Sequence, residues 1–230
     1  MEDNAIQQLS EFEENYWWFT ARKQIIRKIL SKYNIKGKIL DYGCGTGGTS
    51  LELQEFGTVI GTDISAKALE LASTKIKTIT ISDLQNYENY FDVITLFDVL
   101  EHVNDDKTLL SKLCQFLKNN GLVLITVPAF QFLWSKHDIA LSHYRRYTKK
   151  QLQETLKNAN LKPLTSGYFM TFLFLPVLLY RIFNKNKETR TDLNKLPKII
   201  DYILTKIFLL ESRLIGYLPF GVSLYCIAKK

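Results

Sequence analysis

Short apolar runs along the chain alternate with stretches in which apolar residues recur every three or four positions. The runs predict strands at residues 38–40, 58–63, 77–81, 92–97 and 121–127, and the periodic stretches predict helices beginning near residue 49 and at residues 67–73, 107–117 and 149–158. The predicted strands are apolar almost throughout, which is typical of strands buried on both faces. The pattern therefore predicts an α/β fold, with helices covering both sides of a parallel sheet.

The start of the chain predicts an amphipathic helix. Apolar residues at helical spacing fill residues 21–30, which follow the aromatic run 16–19. Trp17 and Trp18 in this run would either pack in the core or form a lid over a bound ligand. In the lid arrangement, Arg22 would reach a carboxylate.

The last third of the chain contains two further apolar segments. The run 169–180 is interrupted by Pro176 and is shorter than the about 20 residues of a membrane span, so we expect a sixth strand that turns into an apolar helix. Residues 198–217 predict a second helix with an apolar stripe along one side. The stripe comprises Ile199, Ile200, Ile203, Leu204, Ile207, Leu210 and Leu214.

A glycine-rich segment follows the first predicted strand. Gly43 and Gly45 lack the Cβ that would hinder positive φ angles and close approach of a ligand, and the free N–H groups of the next helix suit an anionic group. With Gly48 they match the pattern G-x-G-x-x-G, which leaves NAD and S-adenosylmethionine as alternatives. Asp41, two residues before Gly43, favours S-adenosylmethionine, because its carboxylate can meet an amino group that NAD lacks.

Acidic residues follow the ends of several predicted strands. Asp63 lies twenty residues after Gly43, the separation at which a second strand carries a carboxylate to ribose hydroxyls. The alternative for Asp63 is a helix N-cap, although Ser65 can cap the next helix itself. Asp83 and Asp98 end the third and fourth predicted strands. All these acids would lie at the sheet edge where such folds bind ligands.

In order and spacing, these motifs resemble the class I S-adenosylmethionine-dependent methyltransferases, from about Tyr16 to the end of the sequence. The resemblance implies a Rossmann-like, doubly wound sheet of seven strands in the order 3-2-1-4-5-7-6, with residues 221–228 as the antiparallel last strand. It also implies a single methyltransferase domain over residues 1–230. Its parts would be an N-terminal helical lid (1–35), a cofactor-binding core (36–165), an apolar helical cap (166–218) and the last strand (219–230).

The same resemblance implies which residues bind S-adenosylmethionine or its product S-adenosylhomocysteine. It assigns the methionine moiety to the glycine-rich segment, the ribose hydroxyls to Asp63, and the adenine ring to Ile64 and the residues after the third strand. The implied cofactor residues are Asp41, Tyr42, Gly43, Gly45, Asp63, Ile64, Asp83, Leu84 and Phe97, with Asp98 beside Phe97 and Arg22 on the N-terminal helix.

Two sets of residues carry narrower likenesses. Residues 98–103 resemble the corresponding stretch of ubiquinone-type O-methyltransferases. Residues 16–22, 127–138 and 143–148 together resemble a bacterial methyltransferase group often linked with envelope polysaccharide or polyprenyl-lipid genes. The resemblance implies a small-molecule, glycan or lipid-linked acceptor, methylated on oxygen by in-line displacement.

The segment after the fifth strand is the candidate acceptor site. Residues 136–150 carry five basic residues and one acid, a net charge of +4 that would attract an anionic acceptor. Arg145 and Arg146 can make forked contacts with a phosphate or carboxylate, with Trp18 as a further substrate contact. The alternative for Arg146 is a salt bridge to Asp138.

The three histidines of the chain are candidate general bases, because each follows a predicted strand end. His143 is preferred, His137 is the reserve and His102 is the third candidate. The alternative for each is a structural hydrogen bond. No pair of His or Cys residues has ligand spacing, so no metal site is predicted, although Glu101 and His102 could contribute to one.

Composition and charge narrow the function classes. The chain is 46% hydrophobic with three widely spaced cysteines and no secretory leader, so we expect a cytoplasmic protein. The net charge of +7 leaves nucleic acid open, but the chain lacks an N-P-P-Y-like motif and an appended basic module, which disfavours it. The alternatives to a methyltransferase are a non-catalytic cofactor-binding or membrane-adaptor protein and an NAD-dependent oxidoreductase.

A basic segment follows the apolar run. Residues 181–198 carry six basic residues and two acids, a net charge of +4, and basic residues beside an apolar surface suit anionic lipid. We therefore expect peripheral contact with the inner face of the cytoplasmic membrane and a lipid-linked acceptor. The alternative is that the apolar segments cap the substrate or form a dimer interface.

Overall fold

The computed structural model describes Ser10, Glu13 and residues 16–183 and 197–230. Within these residues, seven strands form one sheet in the order β3-β2-β1-β4-β5-β7-β6, which confirms the order implied by the resemblance. The strands are β1 (Gly37–Tyr42), β2 (Gly57–Thr62), β3 (Lys77–Thr78), β4 (Phe91–Phe97), β5 (Leu117–Pro128), β6 (Lys162–Phe169) and β7 (Ser223–Lys229).

The strand directions bring the ends of the central strands together. Strands β1 to β5 pair in parallel, whereas β7 is antiparallel to both β5 and β6. In this register Asp41 lies level with Gly61 on one side and Thr95 on the other. The residues that follow β1, β2, β4 and β5 therefore share one edge of the sheet, where folds of this kind bind ligands.

Helices cover both faces of the sheet. They are α1 (Trp17–Lys32), α2 (Gly48–Leu53), α3 (Ala66–Ser73), α4 (Asp106–Phe116), α5 (Lys136–Ala140), α6 (Lys149–Asn158), α7 (Phe174–Phe183) and α8 (Lys198–Glu211). Ile25 and Ile26 of α1 are fully buried in one core, and Leu110 of α4 with Leu152 of α6 are buried in the other. Each such side chain contributes about 1.5–3 kcal/mol through burial, so these apolar stripes fix where the helices pack.

Two strand predictions were wrong. The third strand was expected over residues 77–81, but β3 ends at Thr78 because the next residues bond locally: Thr80 and Asp83 form a capping box that starts the 3₁₀ helix Ile81–Tyr87. The sixth strand was expected inside the apolar run, but β6 precedes it and crosses the expected boundary at residue 165. The apolar run itself forms α7.

Trp17 packs in the core, which is one of the two alternatives that the sequence left open for it. Its ring is 7% exposed and stacks on Phe208 of α8 at 5.4 Å between centroids. The backbone N–H of Trp17 donates to Asp201 Oδ1 at 3.0 Å, which joins α1 to α8 a second time. Trp18 is half-buried and meets Trp17 edge-on.

Helices α7 and α8 present apolar side chains to solvent. Helix α7 has no buried residue, and α8 buries only Phe208 and Glu211. Six of the seven residues of the predicted stripe on α8 and just after it are exposed, and Leu204 is half-buried. Within the described ranges, no helix combines the length and apolarity needed to cross a bilayer.

Candidate functional site

The glycine-rich segment forms a tight loop between β1 and α2. Gly43 and Gly45 have φ angles of +77° and +54°, and a Cβ at Gly43 would lie 2.5 Å from Val99 Cγ2. The backbone N–H groups of Gly43 and Cys44 donate to the Thr62 carbonyl at 2.8 and 3.0 Å. The loop is thereby held against β2 in a conformation that favours glycine.

Asp41 lies at the end of β1 and is 1% exposed. Thr95 Oγ1 donates to its Oδ1 at 2.7 Å, and the Ser50 hydroxyl donates to its Oδ2. Burial raises the pKa of Asp41, while these two hydrogen bonds and the charge of Arg22 act in the opposite direction. The carboxylate thus joins β1 to β4 and α2 immediately before the loop, and places negative charge under it.

Asp63 and Ile64 stand beside this loop. Asp63 Oδ2 accepts from Gly45 N–H and Oδ1 accepts from Ser65 N–H, both at 2.9 Å. Ser65 is the N-cap of α3, its hydroxyl accepting from Ala68 N–H, as the sequence predicts. Ile64 is 89% exposed. A large apolar side chain standing in solvent next to a fixed carboxylate fits a contact with a ring carried by a ribose.

Asp83 lies in the 3₁₀ helix after β3 instead of directly at a strand end. Its Oδ2 accepts from the backbone and the hydroxyl of Thr80, and these bonds lower the pKa of Asp83. Leu84 is 2% exposed, so its side chain belongs to the core. Only its backbone is available for the adenine contact that the resemblance implies.

The end of β4 carries an ion pair with α1. Asp98 has a φ of +55°, uncommon for a residue other than glycine and often found at functional sites. Its Oδ2 lies 3.0 Å from Arg22 Nη1, and its Oδ1 accepts from Thr126 Oγ1 at 3.1 Å. The Arg22 guanidinium also stands 5.9 Å from the centre of the Phe97 ring. Arg22 is therefore paired with a carboxylate of the chain itself, that of Asp98.

Glu101, His102 and His143 form a cluster next to this ion pair. Each of the three residues offers one potential ligand atom, these atoms lie within 4.8 Å of one another, and the two imidazole centroids are 4.6 Å apart. The Tyr144 N–H donates to the Glu101 carbonyl at 2.6 Å, which helps to hold the segment after α5 against the 3₁₀ turn Leu100–His102. The fold thus unites two sequence segments that were considered separately.

Burial shifts the pKa values of two members of this cluster. Glu101 is 1% exposed, and burial raises its pKa well above the ordinary value. Burial also lowers the pKa of His102, and the adjacent His143 ring lowers it further. His143 Nδ1 lies 3.0 Å from Asp138 Oδ1, so this carboxylate fixes the orientation of the ring.

Arg146 forms a salt bridge with Asp138, the alternative to an acceptor contact. Its Nε donates to Asp138 Oδ1 at 2.7 Å and its Nη1 to the Ala129 carbonyl, and its side chain is 3% exposed. Arg146 is therefore not available to an anionic acceptor, which corrects that expectation. Arg145 bonds to the Asn104 carbonyl and lies 3.4 Å from Asp106, with about a third of its side chain still exposed.

The remaining predicted residues are placed differently. His137 lies half-buried on α5 and does not belong to the Glu101 cluster among the described residues. Arg181 pairs with Asp138 at 3.7 Å, so it does not serve the expected lipid contact. The basic residues Lys185, Lys187, Arg190 and Lys195 lie outside the described residues.

Glu13 contacts the glycine loop, and sequence reasoning missed this contact. It is 7% exposed, and its Oε2 accepts from the Thr46 hydroxyl and from Gly48 N–H. A Cβ at Gly48 would lie 2.3 Å from that oxygen, so Gly48 makes room for the carboxylate. In the sequence, Glu13 is one of several acids in an N-terminal stretch with no basic residue, and nothing there distinguishes it.

Comparison with known proteins agrees with this geometry. A family model described as a methyltransferase domain matches residues 15–166. The ubiquinone biosynthesis O-methyltransferase of Shewanella sp. (strain ANA-3) is 28% identical over 100 residues, 39% of this chain and 42% of that enzyme. The chain therefore aligns with less than half the length of this relative.

Solved methyltransferase structures share the fold. A SAM-dependent methyltransferase from Archaeoglobus fulgidus has a TM-score of 0.60 at 19% identity, over 96% of this chain and 99% of that one. Phosphoethanolamine N-methyltransferase 2 from Haemonchus contortus, in complex with S-adenosyl-L-methionine, has a TM-score of 0.64 at 21% identity, over 100% of this chain and 57% of that one.

The family match spans more than half of the chain and includes the glycine loop, Asp41, Asp63 and the end of β4. The sheet order is the one that the resemblance implied. An NAD-dependent oxidoreductase is thereby set aside. The chain belongs to the methyltransferase-domain family, and its fold is that of class I S-adenosylmethionine-dependent methyltransferases.

Proposed function

We propose that this chain methylates a hydroxyl oxygen of a small-molecule or lipid-linked acceptor, which binds beside Glu101, His102 and His143. The observation that carries the proposal is the position of this cluster, directly after β4, where the cofactor's reactive end would lie. Electrostatic coupling of Glu101 to Asp98 and Arg22 supports the same placement. Oxygen is the acceptor atom in the named O-methyltransferase relative, which supports the choice of a hydroxyl.

The residues around the glycine loop fit the cofactor. Asp63 would accept the ribose hydroxyls, since each of its oxygens has made one hydrogen bond and can accept another. Ile64 would cover the adenine, and the backbone of residues 42–45 would hold the methionine moiety with Asp41 below it. Arg22 stands where it can balance a negative group. Bound S-adenosylmethionine supplies a methyl group on an activated sulfonium.

Cofactor binding is tested by Asp63→Ala. Losing hydrogen bonds to a charged group costs about 1.5–3 kcal/mol, so we expect S-adenosylhomocysteine to bind roughly 10- to 150-fold more weakly. Isothermal calorimetry measures this, with Asp105→Ala as the control, because Asp105 is an exposed acid that caps α4 far from the loop in sequence. Unchanged affinity in Asp63→Ala would remove Asp63 from the cofactor site.

The acceptor is activated mainly by its position. Holding an acceptor in line with the methyl group can supply roughly 7–11 kcal/mol of the barrier, and removing the acceptor's proton adds about 10²–10⁴-fold. His143 is placed for the second task, because Asp138 holds its Nδ1 and leaves Nε2 for the acceptor. Asp138 would also stabilise the protonated imidazole.

The His143→Ala variant separates these two contributions. We expect turnover to fall by about 10²-fold or more, while affinity for S-adenosylhomocysteine changes little. The assay is release of S-adenosylhomocysteine in the presence of hydroxylated aromatic, glycan and lipid extracts. His137→Ala, outside the cluster, is the matched control. Equal turnover in wild type and His143→Ala would exclude His143 and favour His102 or an acceptor that carries no proton.

Peripheral membrane contact is the second part of the proposal. It rests on an exposed apolar surface, which we define as Leu175, Leu179, Ile182, Phe183, Ile199, Ile200, Ile203, Ile207, Leu210 and Leu214. Exposed apolar side chains that recur along a helix are typical of an interaction site. Helix α8 packs on α1, which carries Arg22, so a lipid-linked acceptor could enter the crevice from the same bilayer.

Basic residues accompany the apolar surface. Lys198, Lys206 and Arg213 are exposed on α8 or just after it, and Arg213 also lines a cavity of about 260 Å³ with Lys28 and Lys32. Each basic residue near an anionic bilayer contributes about 1 kcal/mol, so these three would supply on the order of 3 kcal/mol. That is enough for reversible attachment at the inner face of the cytoplasmic membrane.

Liposome flotation tests the membrane contact. We expect the protein to float with anionic vesicles at low salt, less at high salt, and much less when Ile199→Ser and Ile203→Ser are combined. Leu164→Ser changes an exposed apolar residue on β6 and serves as the control. Failure to float with anionic vesicles would reject the contact. A dimer in sedimentation that Ile199→Ser with Ile203→Ser dissociates would then assign the surface to self-association.

A further inference from the structure

The Glu101 carboxylate is buried without enough partners. Its Oε2 has no hydrogen-bond partner among the described residues, although the side chain is 1% exposed. Leaving a buried polar atom unsatisfied costs about 1–3 kcal/mol, and more if the group is charged. Binding of a ligand to the Glu101 carboxylate would remove this cost.

The nearby arginines do not meet this need. Arg22 and Arg146 are close enough to influence Glu101, but Arg22 is paired with Asp98 and Arg146 with Asp138. Each cation is thus matched by a different acid. Glu101 is the carboxylate left over, and an ion that neutralises it would be positively charged.

His143 is oriented as metal-ligating histidines usually are. Its Nδ1 lies 3.0 Å from Asp138 Oδ1, and the Leu141 backbone carbonyl stands close enough to the His102 ring to influence it. In protein metal sites, a ligating histidine almost always gives its second ring nitrogen to a carboxylate or a backbone carbonyl, which fixes the tautomer. The Asp138 contact leaves Nε2 of His143 available. Each of the two rings offers one nitrogen to the cluster with Glu101.

We infer that Glu101, His102 and His143 bind one divalent transition-metal ion. Two imidazole nitrogens and one carboxylate oxygen are a donor set that suits Zn²⁺ and its neighbours, with at least one position open. Bonds of about 2.0–2.1 Å place tetrahedral ligand atoms about 3.4 Å apart. The cluster atoms lie within 4.8 Å, so small side-chain rotations would close it around an ion.

This inference deepens the proposed function. The open position would take the acceptor hydroxyl, lower its pKa and release its proton to water, because a cation stabilises the oxygen anion. The new O–CH₃ bond then forms as the S–CH₃ bond breaks, and S-adenosylhomocysteine leaves. In this arrangement His143 is a ligand instead of a general base. The sequence predicted no metal site because metal-ligand motifs join residues that are close in sequence, whereas His102 and His143 are 41 positions apart.

The test uses the full chain, stripped with EDTA and titrated with Co²⁺ and Zn²⁺. We expect one ion per chain, a visible d–d absorption for Co²⁺ that Zn²⁺ abolishes, and at least 10-fold weaker binding in Glu101→Gln, His102→Ala and His143→Ala. His137→Ala is the matched control and keeps full binding, because His137 lies outside the cluster. Thermal unfolding of each apo variant confirms that it is folded.

The outcomes separate this inference from the proposed function. No stoichiometric Co²⁺ or Zn²⁺ binding by the wild type, or equal binding by all four variants, overturns the metal site. S-adenosylhomocysteine calorimetry on the stripped protein reports on the cofactor site independently. If the cofactor binds and the metal does not, methyl transfer stands and His143 returns to its role as the base.

Discussion

Replacing Asp138 with asparagine keeps the shape of the side chain but removes a charge that several neighbours share. Its Oδ1 lies 2.7 Å from Arg146 Nε and 3.0 Å from His143 Nδ1, and its Oδ2 lies 3.7 Å from Arg181 Nη1. Asp138 is fully buried, so water cannot replace the lost charge. Removing one partner of a buried ion pair costs about 3–5 kcal/mol. We expect Asp138→Asn to lower the free energy of unfolding by that amount at pH 7.

The loss should depend on pH in a defined direction. Burial raises the pKa of Asp138, but the hydrogen bond from His143 and the charge and hydrogen bond of Arg146 lower it more, so the net pKa lies below its ordinary value of 3.8. An acid of this kind stabilises the fold above its unfolded pKa and loses that contribution as the pH falls towards the folded value. The difference between wild type and Asp138→Asn should be full near pH 7 and shrink below about pH 4.

Urea unfolding followed by tryptophan fluorescence measures both effects. Asp105→Asn is the control, because Asp105 is an exposed helix cap, and its loss should be clearly smaller. A loss below about 1 kcal/mol for Asp138→Asn at pH 7 would contradict the reasoning, since this is the range of surface ion pairs. So would a difference from wild type that stays constant between pH 7 and pH 3.5.

Two further predictions concern the cofactor loop and its neighbour. In Gly43→Ala the new Cβ would lie 2.5 Å from Val99 Cγ2 at a positive φ, so we expect a loss of about 1–3 kcal/mol in stability and weaker S-adenosylhomocysteine binding. Gly216→Ala, also at positive φ but with its nearest neighbour 3.7 Å away, should leave that binding intact, and equal effects of both changes would refute the steric argument. Ser65→Ala removes the N-cap of α3 and should lower the free energy of unfolding by about 1 kcal/mol; no change in urea unfolding would show that another group caps the helix.

The sequence located best the elements that are buried and therefore consist mostly of apolar residues. Strands β1, β2 and β4 lie in the middle of the sheet and were placed within about a residue or two, and the capped helix α6 ends where it was predicted to. Strand β3 lies at the edge and buries little, so the local hydrogen bonds of Thr80 and Asp83 decided where it stopped. The spacing of apolar residues does not show whether such local hydrogen bonds will end a strand.

The candidate site divides in the same way. The position of Asp63 beside the glycine loop follows from the sequence spacing, because β1 and β2 are adjacent parallel strands that end at the same edge of the sheet. The sequence left two roles open for Arg146, an acceptor contact and a salt bridge to Asp138, because the choice depends on how α5 packs. Glu13 contacts the loop only in the folded chain, and the residues next to it in the sequence do not indicate this contact. A backbone hydrogen bond from Tyr144 helps to hold the Glu101 cluster together, and no spacing rule describes it.

The position of β7 affects how the protein is made. This strand lies between β5 and β6 although it follows both in the chain, so both wait for residues 223–229 to reach the ribosome exit. Until then, two strand edges stay open while the apolar helices α7 and α8 have already emerged, a combination that favours aggregation. A nascent chain stalled before residue 223 would therefore depend on chaperones, even though its cofactor loop is complete.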